Sequence, residues 1–329
     1  MKRIVTALCI AAVCASVSCD LSLSISSGVA GNPFMRVIDL GQSAWTVSEE
    51  TADGRIIAEK SSDVLPYDNS GVIRFPLIAD MQFDRPAQNA AWYDSNFLEW
   101  LDDRDYPFLV NLGDLIDSGR LWQQKALSFY ARAANKMHGN HIYAIGNHEL
   151  YNNTSSDFDC YLSVFHADAG VGRMAHYVYG PLSIYKLDNS MRTFGGEQLR
   201  WLEQALAADS RPYRIIAAHE IVTSGGVFDK TLIIFGMDPK EVNRLLRIMD
   251  EHDVSLIVTG HHHAGNIIYR HQSDMAEFNA AAIHRSESDG YWYEVEIDTV
   301  QKKIRIIQYS AERAEPTGTV YTTGLNEHR

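Results

Sequence analysis

The 329-residue chain is 46% hydrophobic and carries a net charge of −13, with 29 Lys and Arg set against 42 Asp and Glu. That length allows one large domain or two small ones, and the scattered basic residues form no stripe interleaved with aromatics, so no nucleic-acid binding is expected. An acidic chain must draw in an anionic substrate through local positive charge, which a bound metal supplies.

The chain starts with "MKRIVTALCIAAVCASVSCD": a basic start at Lys2 and Arg3, an apolar stretch Ile4–Val17 and a small-residue end. The stretch is shorter than the ~20 apolar residues that span a bilayer. Residues 1–18 therefore read as an export signal that is removed. Ser16 and Ser18 suit ordinary signal cleavage, while Cys19 resembles the lipid-attachment cysteine of bacterial lipoproteins, with Ser16 where that motif usually has Leu. A lipid anchor at Cys19 in the bacterial cell envelope is the favoured location, with a secreted or periplasmic soluble protein as the alternative. An anchor of this kind would be the chain's contact with a membrane. Cys9, Cys14 and Cys19 lie in or at the end of the leader, so Cys160 is left without an internal disulfide partner.

Residues 19–70 are rich in Ser, Gly, Asp and Glu, with short apolar pieces such as "RVIDL" and "GRIIAE". They read as a tether followed by two peripheral strands. From Val72 the texture changes, and residues 71–311 read as the main domain. Apolar β-type runs appear at "FPLIAD", "PFLVNLGD", "HIYAIGN", "LSIYKLD", "YRIIAAHE" and "VSLIVTG". Helical stretches lie between them at Asn89–Leu101, Leu121–Met137, Glu197–Ala208 and Pro239–His252. Trp122, Ala126, Phe129 and Ala133 share a helical spacing, as do Val242, Leu245, Leu246 and Met249. Such alternation predicts an α/β sheet covered on its faces. Pro76 is awkward in a central strand, which is expected to begin at Leu77. Past His263, "FNAAAIH", "YWYEVEID" and "KIRIIQYS" predict three strands without helices, an antiparallel part or a second sheet. Residues 312–329 read as a frayed polar tail.

Polar and titratable residues fall repeatedly at the C-terminal ends of these strands: Asp80 and Gln82, Gly113-Asp114 and Asp117, Gly146-Asn147-His148, His219, and Gly260-His261-His262-His263. In open α/β sheets that edge is where ligands bind. The donors are nitrogen and oxygen without thiolate, a metal-site inventory. Singly, each piece has a plainer reading. Asp-x-Gln is a common loop, Gly-Asp-x-x-Asp a helix cap, Gly-Asn-His a turn, and three histidines a solvated loop. Their order, each after an apolar strand, argues for the joint reading.

In that order the motifs resemble the calcineurin-like metallophosphoesterase superfamily: Asp-x-His, Gly-Asp-x-x-Asp, Gly-Asn-His-Asp/Glu, a lone His and Gly-His-x-His. Here they stand as "DMQ", "GDLID", "GNHE", His219 and "GHHH", within roughly Val72 to Ser310. The resemblance implies two packed mixed β-sheets flanked by helices, a four-layer sandwich with two divalent metal ions at the strand ends. It implies one metal on Asp80, Gln82, Asp114 and His263, and another on Asp114, Asn147, His219 and His261, with Asp114 bridging and His262 facing away. It also implies that His148 is the catalytic proton donor, with Asp117 orienting its other ring nitrogen.

Gln82 replaces the usual His. Asp-x-Gln and "GNHELYN" resemble the branch that includes the manganese-dependent ADP-ribose/CDP-alcohol diphosphatases, and the harder donor favours Mn²⁺, with Fe or Zn as alternatives. Ser118 stands where the Ser/Thr protein phosphatases of the superfamily carry a phosphate-gripping Arg. His219 lacks the frequent x-Pro after it. In this reading, cations ~3.5–4 Å apart share a carboxylate and a hydroxide, which attacks the phosphorus of a small phosphorylated substrate. A phosphodiester or nucleotide-type diphosphate is the favoured substrate. A phosphomonoesterase on the same site, or a non-catalytic envelope lipoprotein keeping the fold, is the alternative. Phe83, Tyr151 and Phe228 are aromatic candidates for stacking a base, with packing as the plainer role of each. The sequence carries no signal for oligomeric state.

Overall fold

In the β-strand formed by Val72–Ile78, Ile73, Phe75 and Leu77 face one core and Ile78 faces another, while Arg74 is exposed. The computed structural model describes residues 37–50, 55–83, 92–117, 124–150, 173–222, 237–265, 267–270, 275–284 and 289–326. The leader, Cys19, Ser118, Tyr151, Cys160 and Phe228 lie outside the described residues, as do the first residues of the two expected helices at Asn89 and Leu121.

Fifteen strands and four helices are described: β1 (Val37–Asp39), β2 (Ala44–Glu50), β3 (Arg55–Ser61), β4 (Val72–Ile78), α1 (Asp94–Asp102), β5 (Leu109–Asn111), α2 (Gln124–Lys136), β6 (His141–Tyr143), β7 (Ala175–Tyr179), β8 (Leu182–Lys186), α3 (Gly195–Ala208), β9 (Tyr213–Ala217), α4 (Pro239–Glu251), β10 (Leu256–Thr259), β11 (Ile267–Arg270), β12 (Ala276–Asn279), β13 (Tyr291–Asp298), β14 (Lys303–Ser310) and β15 (Glu315–Gly324). They form a seven-stranded sheet, β1-β7-β8-β9-β10-β12-β11, a six-stranded sheet, β15-β14-β13-β4-β5-β6, and the β2-β3 hairpin. Both large sheets are mixed. β8, β9, β10 and β12 run parallel, as do β4, β5 and β6, and antiparallel pairs flank each set.

The period-2 side-chain alternation of strands builds the layers. Ile73, Phe75, Leu77 and Val110 of one sheet share a core with Ile184, Ile215 and Val258 of the other. Their neighbours Ile78, Leu109 and Trp292 point the opposite way, onto Phe97, Trp100, Phe129 and Tyr130 of α1 and α2. On the far side, Trp201 of α3 meets Tyr185 edge-on at 6.4 Å, and Arg244 of α4 reaches Glu203 of α3 at 3.3 Å. The outcome is the expected helix–sheet–sheet–helix sandwich. α4 starts where its chemistry dictates, with the Asp238 side chain accepting from Lys240 N–H at 2.9 Å and Pro239 in the first turn. Among the described residues no helix is long and apolar enough to cross a membrane.

Three expectations need correction. β4 begins at Val72, before Pro76. It pairs with β13 from Val72 to Leu77 but with β5 only at Leu77 and Ile78, so Pro76 lies where the strand has a neighbour on one side. The polar tail is not frayed over its length, because Glu315–Gly324 forms β15 against β14, with Tyr321 and, just beyond it, Leu325 buried. The main domain also reaches back before residue 71, because β1, in the apolar piece "RVIDL", pairs in parallel with β7 of the main sheet.

Candidate metal centre

Main-chain hydrogen bonds carry the strand order past the strand ends and draw the motifs together. Asp80 N–H donates to Gly113 O at 3.0 Å, Gln82 N–H to Asp114 O at 2.8 Å, and Gly260 N–H to His219 O at 2.8 Å. The two sheets meet where His261 N–H donates to Asp80 Oδ2 at 2.9 Å. Asp80, Gln82, Asp114, His261 and His263 all adopt positive φ, between 43° and 71°. For non-glycine residues that conformation costs about 1–3 kcal/mol each and persists only where the surroundings impose it, commonly at functional sites. Gly146 is required by close approach: a Cβ there would lie 2.0 Å from Asp114 Oδ1.

Two groups of donors result. Asp80, Asp114 and His263 place ligand atoms within 4.8 Å of one another, and so do Asp114, His219 and His261. Asp114 belongs to both groups. Asn147 joins the second, its Oδ1 being 3.0 Å from His219 Nε2 and 2.9 Å from His261 Nδ1. Gln82 joins the first, its Nε2 donating to Asp114 Oδ2 at 3.2 Å. His262 is half-buried and belongs to neither group. All seven expected ligands are thus brought together.

Second contacts aim the rings. His219 Nδ1 lies 2.7 Å from Leu112 O, and since a carbonyl only accepts, that nitrogen carries a proton and Nε2 faces the site. His261 Nε2 lies 3.4 Å from the buried Glu220 carboxylate, which turns Nδ1 inward. His148 N–H donates to Asp114 Oδ1 at 2.9 Å, and its Nε2 stands 3.8 Å from Asp114 Oδ2. The expected role of Asp117 shifts from side chain to main chain. Its carbonyl accepts from His148 Nδ1 at 2.7 Å, whereas its carboxylate is 3.5 Å away. Phe83 is buried against Trp92 and Phe129, which leaves no face for a substrate base.

Asp80, Asp114, Glu149 and Glu220 are all buried here. Burial pushes the Asp80 carboxyl well up despite His219 beside it. Burial also opposes ionisation of Asp114, but His219 and His148 hold it low. Burial works against a proton on His219 too, yet Asp114, Asp80 and Glu220 push its pKa up to about 10. His261, desolvated and beside His219, falls to about 3. Buried carboxylates that raise a neighbour this far want positive charge, which a proton on His219 supplies here and divalent cations would supply better. The donor set therefore fits metal ions.

Sequence reasoning gave no role to several residues that hold this arrangement, Glu149 of the "GNHE" motif among them. Glu149 binds the main chain of two motifs at once. Asn189 Oδ1 accepts from His219 N–H at 3.0 Å and Glu220 N–H at 2.9 Å, while its Nδ2 donates to Glu220 O at 2.8 Å. His284 faces Gln82. Asn189 follows the β8 run by three residues, so the strand-end rule that found the other motifs covers it as well.

A family model for calcineurin-like phosphoesterases matches residues 73–265. No curated protein sequence matches the chain. Among solved structures, the purple acid phosphatase PPD1 from yellow lupin aligns with a TM-score of 0.55 at 15% identity, covering 82% of this chain and 56% of that one. GAP50 of Plasmodium, described as the anchor in the inner membrane complex, gives 0.51 at 14% identity over 78% and 90%. PhoD gives 0.51 at 12% identity over 83% and 74%. The chain thus spans little more than half of the lupin phosphatase, and at these identities the likeness is one of fold.

Proposed function

From the premise that the chain belongs to the calcineurin-like phosphoesterase family, we propose that it hydrolyses a small phosphodiester or nucleotide-type diphosphate with two divalent cations, Mn²⁺ favoured. The observation that carries this reading is Asp114, shared by both donor groups. One ion would be held by Asp80, Gln82, Asp114 and His263, the other by Asp114, Asn147, His219 and His261. When bound, such ions supply charge for the phosphoryl oxygens and acidify water toward neutral pH.

The chain's own residues do the rest. Leu112 O and Glu220 orient His219 and His261, so the imidazoles need no reorganisation when a cation arrives. His148 is the proton donor to the leaving oxygen. The Asp117 carbonyl keeps a proton on Nδ1, so Nε2 delivers the second proton and recovers it from solvent. Arg192, a third exposed, stands 3.7 Å from Glu220, the carboxylate that turns His261. A chain that had kept the fold only for binding would have no need of seven converging donors and a held His148.

The test strips the purified protein with chelator, reloads it with Mn²⁺, Fe²⁺ or Zn²⁺, and assays phosphodiesters, pyrophosphates and monoesters. Metal-restored cleavage of a diester or pyrophosphate supports the reading. Preference for monoesters replaces it with a phosphomonoesterase, and two bound ions without turnover on the panel replace it with a binding role. The envelope location rests on the leader and Cys19. Mass spectrometry of the native N-terminus should find a lipid-modified Cys19, and an unmodified start there would refute the anchor.

A further inference from the structure

Gln82 stands where relatives use an imidazole, and directly behind it lies a histidine outside the five motifs. His284 is fully buried, with Nε2 3.2 Å from Gln82 Oε1. The main chain just before it is tied to both neighbouring loops: Ile283 N–H donates to Ala79 O at 3.1 Å and Ala282 N–H to His263 O at 3.0 Å. Its ring also meets that of His263 nearly perpendicularly at 5.6 Å and lies 5.6 Å from Trp92. His284 is thus locked against the donor group of Asp80, Gln82, Asp114 and His263, and it reaches that group through Gln82, the member of the group that departs from the family pattern.

We infer that His284 is a positioning residue that orients the Gln82 amide for metal binding. This rests on the metal reading above. The two ends of an amide have opposite chemistry: the nitrogen only donates, and the oxygen accepts or ligates. As the side chain stands, Nε2 donates to Asp114 Oδ2 at 3.2 Å and Oε1 faces His284. A cation shared with Asp114 needs the oxygen on that side, so the amide turns over and presents its NH₂ to His284. A neutral imidazole can meet either orientation, donating from Nε2 when it carries the proton and accepting there when the proton sits on Nδ1. A phenyl ring can do neither, and a lysine or arginine can only donate. A histidine behind a glutamine therefore supports the amide in both states, and with the cation bound it holds Oε1 toward the ion.

The readout is Mn²⁺ binding by the metal-stripped full chain, followed by calorimetry and elemental analysis, so it does not depend on turnover. Wild type should bind two ions. His284→Phe should weaken one of them by about 10–100-fold, the usual range for lost outer-shell partners, and leave the other unchanged. His284→Gln, which can also donate or accept, should restore most of the loss. On a Gln82→Ala background, His284→Phe should cost little more, because the group it acts through is gone. If the phenyl ring overpacks and the variant fails to fold, His284→Ala gives the same comparison. Wild type taking up two ions and His284→Phe or His284→Ala matching it would overturn the inference alone, as would an undiminished loss on the Gln82→Ala background. Wild type taking up no Mn²⁺, Fe²⁺ or Zn²⁺ would overturn the metal reading and this inference with it.

Discussion

Glu149 accepts the main-chain N–H of Asp114 at 3.0 Å, although the two residues belong to different motifs on different strands. Its other oxygen accepts Leu115 N–H at 2.7 Å, and Gly146 N–H reaches Oε2 at 2.7 Å. One buried carboxylate therefore holds the loop of Asp114 against the loop of Asn147. Glu149→Gln keeps the shape but turns one oxygen into an NH₂ aimed at N–H groups. Leaving buried donors unsatisfied costs about 1–3 kcal/mol, so chemical denaturation should show a loss of that order, and elemental analysis a loss of metal. A variant that unfolds like wild type and retains both ions would show that the loops do not depend on Glu149.

The two donor groups make different claims for their members. Asp114 belongs to both groups, Gln82 to one. Asp114→Ala should abolish binding of both ions, and Gln82→Ala should weaken one. Titration of the stripped proteins with Mn²⁺ separates these outcomes. Two equivalents still bound by the Asp114 variant would dismantle the assignment.

The strands and helices were legible because burial imposes a period. Glu197–Ala208 and Pro239–His252, expected as helices, are found at Gly195–Ala208 and Pro239–Glu251. The converging donors were legible because each follows an apolar strand. β15 was not, since it is an edge strand exposed along its first five residues, and its inward Tyr321 is too little pattern to tell it from a solvated tail. The roles of Glu149, Asn189 and His284 escaped for another reason: Glu149 stands in the "GNHE" motif and Asn189 at a strand end, but each acts on a loop that only the fold brings near, and His284 has no motif around it. The Asp117 carbonyl could not be read at all, because every residue carries one.

The fold itself should respond to acid at a residue outside the candidate metal centre. His141 of β6 is fully buried and stacked on Tyr130 at 4.3 Å, and burial lowers its pKa to about 3. Its unfolded value is about 6.5, so between these values the unfolded chain binds the extra proton. Stability from this residue is therefore complete above about pH 6.5 and is lost as pH falls toward about 3. The slope for one proton is about 1.4 kcal/mol per pH unit. His141→Phe should keep the stack and remove that slope. Urea unfolding in chelator at several pH values from about 6.5 down to 4 would show it, with the variant losing less stability than wild type. Parallel losses in the two proteins would mean that His141 titrates normally in the folded state.

His148 separates catalysis from metal binding. Its main-chain N–H rests on Asp114, and its Nδ1 on the Asp117 carbonyl, so the ring is held with Nε2 3.8 Å from Asp114 Oδ2. If it protonates the leaving oxygen, its removal matters most when that oxygen is a poor leaving group. An alkoxide needs the proton, whereas a nitrophenolate departs nearly unaided. General acid catalysis is commonly worth ~10²–10⁴-fold. His148→Asn keeps the main-chain N–H that Asp114 uses, so both metals should stay bound. Activity on alkyl diesters or pyrophosphates should fall by that factor, with a much smaller loss on activated aryl esters. A plain turn residue supporting Asn147 predicts something different: equal losses on both substrate types, with metal lost in parallel. That second pattern would take His148 out of the chemistry and leave the hydrolase reading to rest on the metals and the residues that hold them.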